Sequence, residues 1–307
     1  VAKLQIFLIF VQIYFMSEHP LKFAIQSVLE DSLKFPVNVT SIRALNGGSV
    51  NSTEVVESDQ GTFFIKHNRA RQHPNMFKLE QKGLELLRAA QAVRVPTVYG
   101  VVEAEGQEIL IMEMIDRGTP HYDFWPEFGA QLARLHKTES ASFGLDYDNF
   151  ISSLPQCNTQ SPSWASFFYE QRLAPMLKRA VDSGKADVEL AKQLERLGAR
   201  LSSIFPQEKP SLLHGDLWGG NFISDLSGDA VIFDPAVYFG HREMDLAMTR
   251  LFGGFDPSFY HGYEEEWALE PGWEERVAIC NLYPLLVHVN LFSGSYIQSV
   301  RNVLSRF

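Results

Sequence analysis

The sequence predicts an α+β molecule of two lobes, a small antiparallel sheet followed by a larger helical portion. Three observations carry this reading. Short β-prone runs separated by turn residues fill the first third of the chain: TSIRAL (40–45), STEVVES (52–58), TFFIKHN (62–68) and a pair within VPTVYGVVEAEGQEILIMEMI (95–115). From Phe124 onward the apolar residues recur at helical spacing, with Phe128, Leu132 and Leu135 on one face. Within that helical portion one dense polar stretch, HGDLWGGN (214–221), stands between the apolar pairs LL and FI. Such a stretch is the pattern of a tight loop.

Taken in order, the chain opens on LQIFLIFVQIYF (4–15), which is apolar but too short to span a bilayer. The SEHP after Met16 offers no small-residue cleavage site. Met16 is therefore expected to be the natural start, with residues 1–15 a non-native or start-site extension, the alternative being a membrane-tethering segment. PLKFAIQSVLEDSL (20–33) predicts an amphipathic helix, and three β runs follow it. A helix is expected over PNMFKLEQKGLELLRAAQ (74–91), then two strands around the Ala104–Gln107 turn. These make an N-lobe over residues 16–116, five strands with one inserted helix. A C-lobe over 117–307 should hold PEFGAQLARLHKT (126–138) and two long helices, SPSWASFFYEQRLAPMLKRAV (161–181) and ADVELAKQLERLGARLSSI (186–204). Two small strands around 214–234 and a mostly helical remainder complete it.

Composition narrows the function. A chain of 307 residues, 45% hydrophobic, has ample material for a core. Its net charge of -10 argues against a nucleic-acid partner, which needs clustered Lys and Arg, and a membrane partner is not expected either. Cys157 and Cys280 lack metal-type spacing, so a reduced, cytoplasmic protein without disulfides is expected, as a monomer or weak dimer.

The chemistry centres on carboxylates. Asp216 and Asn221 lie five residues apart, and the apolar run VIF delivers Asp234 thirteen residues further on. Oxygen ligands such as Asn221 and Asp234 suit Mg²⁺, which shares its shell with substrate phosphates. A carboxylate kept off the metal, Asp216, can orient a hydroxyl and take its proton. Each triplet alone is also an ordinary turn former. The full D-x-x-x-x-N…D pattern is more specific, and it resembles the protein kinase signature set, with HGD for HRD and DPA for DFG. The fold implied is protein-kinase-like.

That resemblance asks for a strand lysine and a helix glutamate. Lys66 lies on the strand face of Thr62 and Phe64. Glu80, fourteen residues on, shares the helix face of Leu84 and Leu87, where a carboxylate needs a partner. Gly47, Gly48 and Ser49 in LNGGSVNST would cover phosphate, although a Gly-Gly pair also suits a plain hairpin turn. In LIMEMIDRG, the backbone near Glu113 and Ile115 would pair with adenine and Met112 would line the pocket, the alternative being an edge strand with Met112 in the core.

No protein-kinase APE segment follows; GHREMDLAM (240–248) stands there instead. This is similar to the small-molecule kinases, and within them the chain resembles the fructosamine-3-kinase (ketosamine-3-kinase) family. The residues that carry the resemblance are GGSVN, FGLDYDNFISSLPQCN (143–158), WASFFYEQRL (164–173), LLHGDLWGGNF (212–222) and FDPAVYFGHREMDLAM (233–248). It implies transfer of the ATP γ-phosphate to the sugar 3-hydroxyl of a ketosamine, on a small glycated amine or a protein lysine, in deglycation repair. It also implies the roles: Asp216 the base, Asn221 and Asp234 on Mg²⁺, Lys66 on the phosphates, Glu80 positioning Lys66. Trp218 would flank the sugar, or else brace the loop from the core. Asp245 would anchor the catalytic loop, with His136 and His214 structural and Trp164 and Trp267 in packing or pocket wall. Family members with a cysteine in the glycine turn can form a disulfide between subunits; Ser49 and Val50 stand there here, so no such switch is expected. The competing readings are a kinase of another small alcohol, aminoglycoside or choline-like, and a non-catalytic nucleotide-binding regulator. A zinc hydrolase fails for want of a further His or Cys cluster.

Overall fold

The computed structural model describes residues 19–45, 51–292 and 294–307. The expectations for residues 1–15 and for Gly47, Gly48 and Ser49 fall outside them. Two compact units divide the chain. One takes the chain up to Gln81 with Thr97–Ile115, and the other takes Lys82–Pro96 with Asp116–Phe307.

The first unit is a five-stranded antiparallel sheet. Its strands are β1 (Val39–Ala44), β2 (Ser52–Ser58), β3 (Gly61–Arg69), β4 (Val98–Ala104) and β5 (Gln107–Glu113), in the spatial order β1-β2-β3-β5-β4. Helix α1 (Lys22–Leu33) buries Ile25 and Leu29 in a core with Val39, Val56, Phe63, Ile65, Ile109 and Ile111. Side chains alternate across a strand, so Phe63 and Ile65 face that core while Lys66 takes the opposite face. Lys66 is registered against Thr53 on β2 and Leu110 on β5.

Helix α2 (Met76–Ala89) starts in the first unit, and the division falls within it, after Gln81. Its first turn is held by Glu108 on β5, whose Oε2 accepts the Phe77 N–H at 3.0 Å. A buried carboxylate there satisfies one orphan helix donor and faces the positive end of the helix.

In the second unit, α3 (Phe124–His136) buries Phe124, Phe128, Leu132 and Leu135. A hairpin follows, β6 (Asn149–Ile151) with β7 (Leu154–Gln156). The stretch read as a single long helix is helical without a gap over 164–182, but its pitch changes along the way: α4 (Trp164–Phe167) runs into a π-helical turn (Phe168–Leu173) and on into α5 (Ala174–Asp182). Pro175 explains the change of pitch, because its ring lacks an N–H and crowds the carbonyl four residues back. That carbonyl, Gln171 O, accepts from Arg172 Nη1 at 3.2 Å. The next helix is also divided, into α6 (Val188–Gly198) and α7 (Leu201–Ile204).

Four short strands flank the polar loop where two were expected. They form two antiparallel pairs, β8 (Ser211–Leu213) with β11 (Tyr238–Gly240), and β9 (Phe222–Ser224) with β10 (Ala230–Ile232). Helices α8 (Glu243–Thr249), α9 (Pro257–Glu266), α10 (Trp273–Cys280), α11 (Leu282–Leu291) and α12 (Tyr296–Leu304) complete the unit. Among the described residues, no helix is long and apolar enough to cross a membrane.

Candidate active site

HGDLWGGN follows β8, and its start is fixed by one buried carboxylate. Asp245, in the first turn of α8, accepts His214 N–H with Oδ2 (2.7 Å) and Gly215 N–H with Oδ1 (2.9 Å). The same Oδ2 lies 3.2 Å from His136 Nε2, and His136 Nδ1 lies 2.8 Å from the Tyr263 hydroxyl. Burial alone would raise the Asp245 pKa, but the bonds from His136 and Gly215 outweigh it and hold the carboxyl below its usual range. Gly215 takes φ 84°, and a Cβ there would stand 2.1 Å from Ala236 O. Only glycine allows the loop to approach the segment after Asp234 this closely.

His214 is fully buried, and burial pushes its pKa down despite the nearby Asp245 charge. The neutral ring donates from Nε2 to Phe233 O at 3.0 Å, and its Nδ1 accepts the Asp216 N–H at 3.3 Å. His214 O in turn accepts Ala236 N–H at 2.9 Å. The histidine thus joins both sides of the site without itself carrying charge.

Asp216 and Asn221 meet as their spacing suggested. Asn221 Nδ2 donates to Asp216 O (2.8 Å) and to Asp216 Oδ2 (3.1 Å). The turn is closed by Asn221 N to Trp218 O at 2.9 Å, and Phe233 N to Asn221 O at 3.0 Å ties it to the end of β10. Burial first, and the Asp234 charge second, push the Asp216 pKa well above the usual carboxylate value, against the Asn221 bond. Asp234 takes a left-handed backbone, φ 58°, directly before Pro235. Such a conformation is uncommon for a residue with a Cβ, and the surroundings must enforce it.

The donor set fits Mg²⁺. With its amide nitrogen turned to Asp216, Asn221 points its oxygen away from that pair, and Asp234 supplies a carboxylate whose charge is already felt by Asp216. Hard oxygen ligands of this number suit an ion that keeps water and phosphate in the rest of its shell.

Trp218 is 37% exposed, with its ring edge-to-face on Phe252 at 5.9 Å between centroids. It leans over Gly220, where a Cβ would stand 2.4 Å from the indole. Trp164 is buried and stacked on Phe168 at 5.0 Å, and Trp267 lies beneath the Arg242 guanidinium at 4.0 Å. Both are packing residues.

In the first unit Lys66 is buried, and its Nζ lies 2.8 Å from Glu80 Oε1. Met112 is buried on β5. Glu113 N–H goes to Thr97 O at 2.8 Å, and Ile115 lies two residues beyond, past the end of β5. Gly47, Gly48 and Ser49 lie outside the described residues. Sequence reasoning missed Glu108, although a lone charge leading the run ILIM was the available signal. It also gave Asn149 and Gln156 no role.

Comparison with known proteins bears on this constellation. A family model described as fructosamine kinase matches residues 21–307. A protein named "Probable ketoamine kinase" of Synechocystis sp. is 39% identical over 276 residues, 88% of this chain and 91% of that one. The chloroplastic protein-ribulosamine 3-kinase of Arabidopsis thaliana is 35% identical over 303 residues, 97% of this chain and 90% of that one. The crystal structure of a Haemophilus somnus protein assigned as a fructosamine-3-kinase superposes with a TM-score of 0.84 at 29% identity, covering 92% of this chain and 96% of that one. An aminoglycoside phosphotransferase solved with AMP-PNP and hygromycin B shares the fold, with a TM-score of 0.58 at 15% identity and coverage of 92% and 96%.

Proposed function

Because the chain belongs to the fructosamine kinase family, we propose that it transfers the γ-phosphate of ATP to the sugar 3-hydroxyl of ketosamines. These are fructosamine or ribulosamine adducts, carried on a small amine or on a protein lysine. The observation that supports this best is the Asp216–Asn221 pair beside Asp234, within a chain matched to the family from residue 21 to 307.

Asp216 is the base. Its Oδ2 is taken by Asn221, so Oδ1 is the oxygen for the acceptor hydroxyl. Its raised proton affinity brings it nearer the working pH, where a general base acts best. Asn221 and Asp234 would hold Mg²⁺, which when bound neutralises charge on the phosphate oxygens during transfer. Lys66, oriented by Glu80, holds the phosphates, and Gly47, Gly48 and Ser49 are proposed to contact them as well. Met112, Glu113 and Ile115 receive the adenine. Trp218, half exposed two residues from the base, offers a flat apolar face to the sugar's C–H groups. We place the enzyme in the cytoplasm.

The test is Mg-ATP consumption against ribulosamines, fructosamines, aminoglycosides, choline and free sugars, with the product located by NMR. Phosphate on the 3-hydroxyl of a ketosamine is the expected result. Turnover confined to another alcohol would overturn the substrate assignment and leave the kinase chemistry in place.

A further inference from the structure

The block FGLDYDNFISSLPQCN has no part in the chemistry above, yet three of its polar residues are buried. Asn149, Gln156 and Asn158 are all under a tenth exposed. Asn149 and Gln156 face each other across the β6–β7 hairpin, joined by Gln156 Nε2 to Asn149 Oδ1 at 2.8 Å. Each also reaches out of the hairpin to the same short stretch of backbone. Gln156 Nε2 donates to Ala236 O at 3.0 Å, and Asn149 Nδ2 donates to Val237 O at 2.8 Å. Those are the second and third residues after Asp234.

The two donors are themselves held. Tyr283 OH donates to Gln156 Oε1 at 2.7 Å. Asn158 Nδ2 donates to Asn149 Oδ1 at 2.9 Å, and Asn158 Oδ1 accepts from Arg172 Nη2 at 2.6 Å. The Arg172 guanidinium lies 4.0 Å from the centre of the Tyr238 ring, so the chain of contacts returns to β11. Across the segment, His214 takes Phe233 O and Ala236 N–H. Residues 233–237 are thus gripped from the catalytic-loop side by one histidine and from the hairpin side by two amides. Between the grips lies Asp234, in a left-handed conformation that a residue with a Cβ holds only when its neighbours impose it.

From this we infer that Asn149 and Gln156 are positioning residues for Asp234: by fixing the carbonyls of Ala236 and Val237 they hold the Asp234 backbone in the left-handed state that sets its carboxylate for metal. The inference rests on the proposed role of Asp234 as a Mg²⁺ ligand. Groups that orient a metal ligand commonly cost 10- to 100-fold in affinity when removed.

The experiment measures Mn²⁺ retained by the protein with ADP, by electron paramagnetic resonance, on Gln156→Met, Asn149→Asp, Asp234→Asn and the double variant Gln156→Met/Asp234→Asn. Circular dichroism checks folding in each. Asp234→Asn should weaken Mn²⁺ retention by more than about tenfold, and Gln156→Met by about tenfold, with the ketosamine KM unchanged. In the Asp234→Asn background, Gln156→Met should add less than about threefold, because the two act through one ligand. Should Gln156→Met fail to fold, Asn149→Asp decides, since it keeps both bonds that Asn149 accepts and turns its donation to Val237 O into a contact between two acceptors, which releases that carbonyl. Folded variants with unaltered Mn²⁺ affinity would overturn the inference, as would an equal loss in both backgrounds. Unaltered affinity in Asp234→Asn would instead remove the metal role on which it stands.

Discussion

At Asp216 two requirements pull against each other. The proposed base gains from a proton affinity raised toward the working pH, and burial beside the Asp234 charge raises it by disfavouring the carboxylate. The folded pKa therefore lies above the unfolded one, so the stability tied to this group is fully present below the ordinary carboxylate pKa. It is lost as pH rises through the folded value. Asparagine has no such loss. Asp216→Asn should melt above the parent by a margin that widens from about pH 4 upward, while kcat falls by about two to four orders of magnitude. Thermal scans across pH and steady-state rates read both, and a margin that narrows with rising pH would contradict the account. Nucleotide affinity should stay close to that of the parent, because the proposed role of the group is toward the acceptor.

Among the elements, β3 and α2 are joined by the buried Lys66–Glu80 pair at 2.8 Å. Removing one member of such a pair leaves the other charge in a poorly hydrated place and commonly costs about 3–5 kcal/mol. Glu80→Leu should lower stability by that order in urea titration, and Lys66→Met/Glu80→Leu should recover most of it. Only the nucleotide affinity should fail to return in the double variant. The sheet and these two residues were legible in the sequence because β-runs of six to nine residues and a two-turn helix face are long enough to show their period. The hairpin NFI/LPQ and two of the four strands around the loop were not, since three residues carry no period. The π-turn at Phe168–Leu173 escaped too, because its apolar residues fit an ordinary helix and only Pro175 hinted at the change of pitch. Asp216, Asn221 and Asp234 were legible as a spacing. The buried amides of Asn149 and Gln156 were not, because an Asn or Gln in a turn-rich stretch looks the same whether it faces water or a carbonyl.

For the molecule as a whole, ligand binding should register as stability. A nucleotide bound only by the folded state adds about 2.7 kcal/mol at a hundred times its Kd. ADP with Mg²⁺ should raise the melting temperature above ADP with EDTA, and Asp234→Asn should erase that difference. The second unit also carries charge deep inside. Arg242 meets Glu208 with Nη2–Oε1 at 2.8 Å and Nε–Oε2 at 3.0 Å, and Arg276 meets Glu243 at 2.6 Å. Arg242→Met should therefore cost about 3–5 kcal/mol by leaving Glu208 without that fork, a loss visible in chemical denaturation and unrelated to ATP.

The neutral His214 ring has a use of another kind. Its Nε2 proton is sealed from solvent against Phe233 O, and protons so protected exchange with water slowly. It should give a sharp resonance well downfield of the amides, persisting after transfer to heavy water until the second unit opens. Because that proton sits one residue from Asp234 on one side and two from Asp216 on the other, its frequency would report on arrival of metal or acceptor without any label being attached.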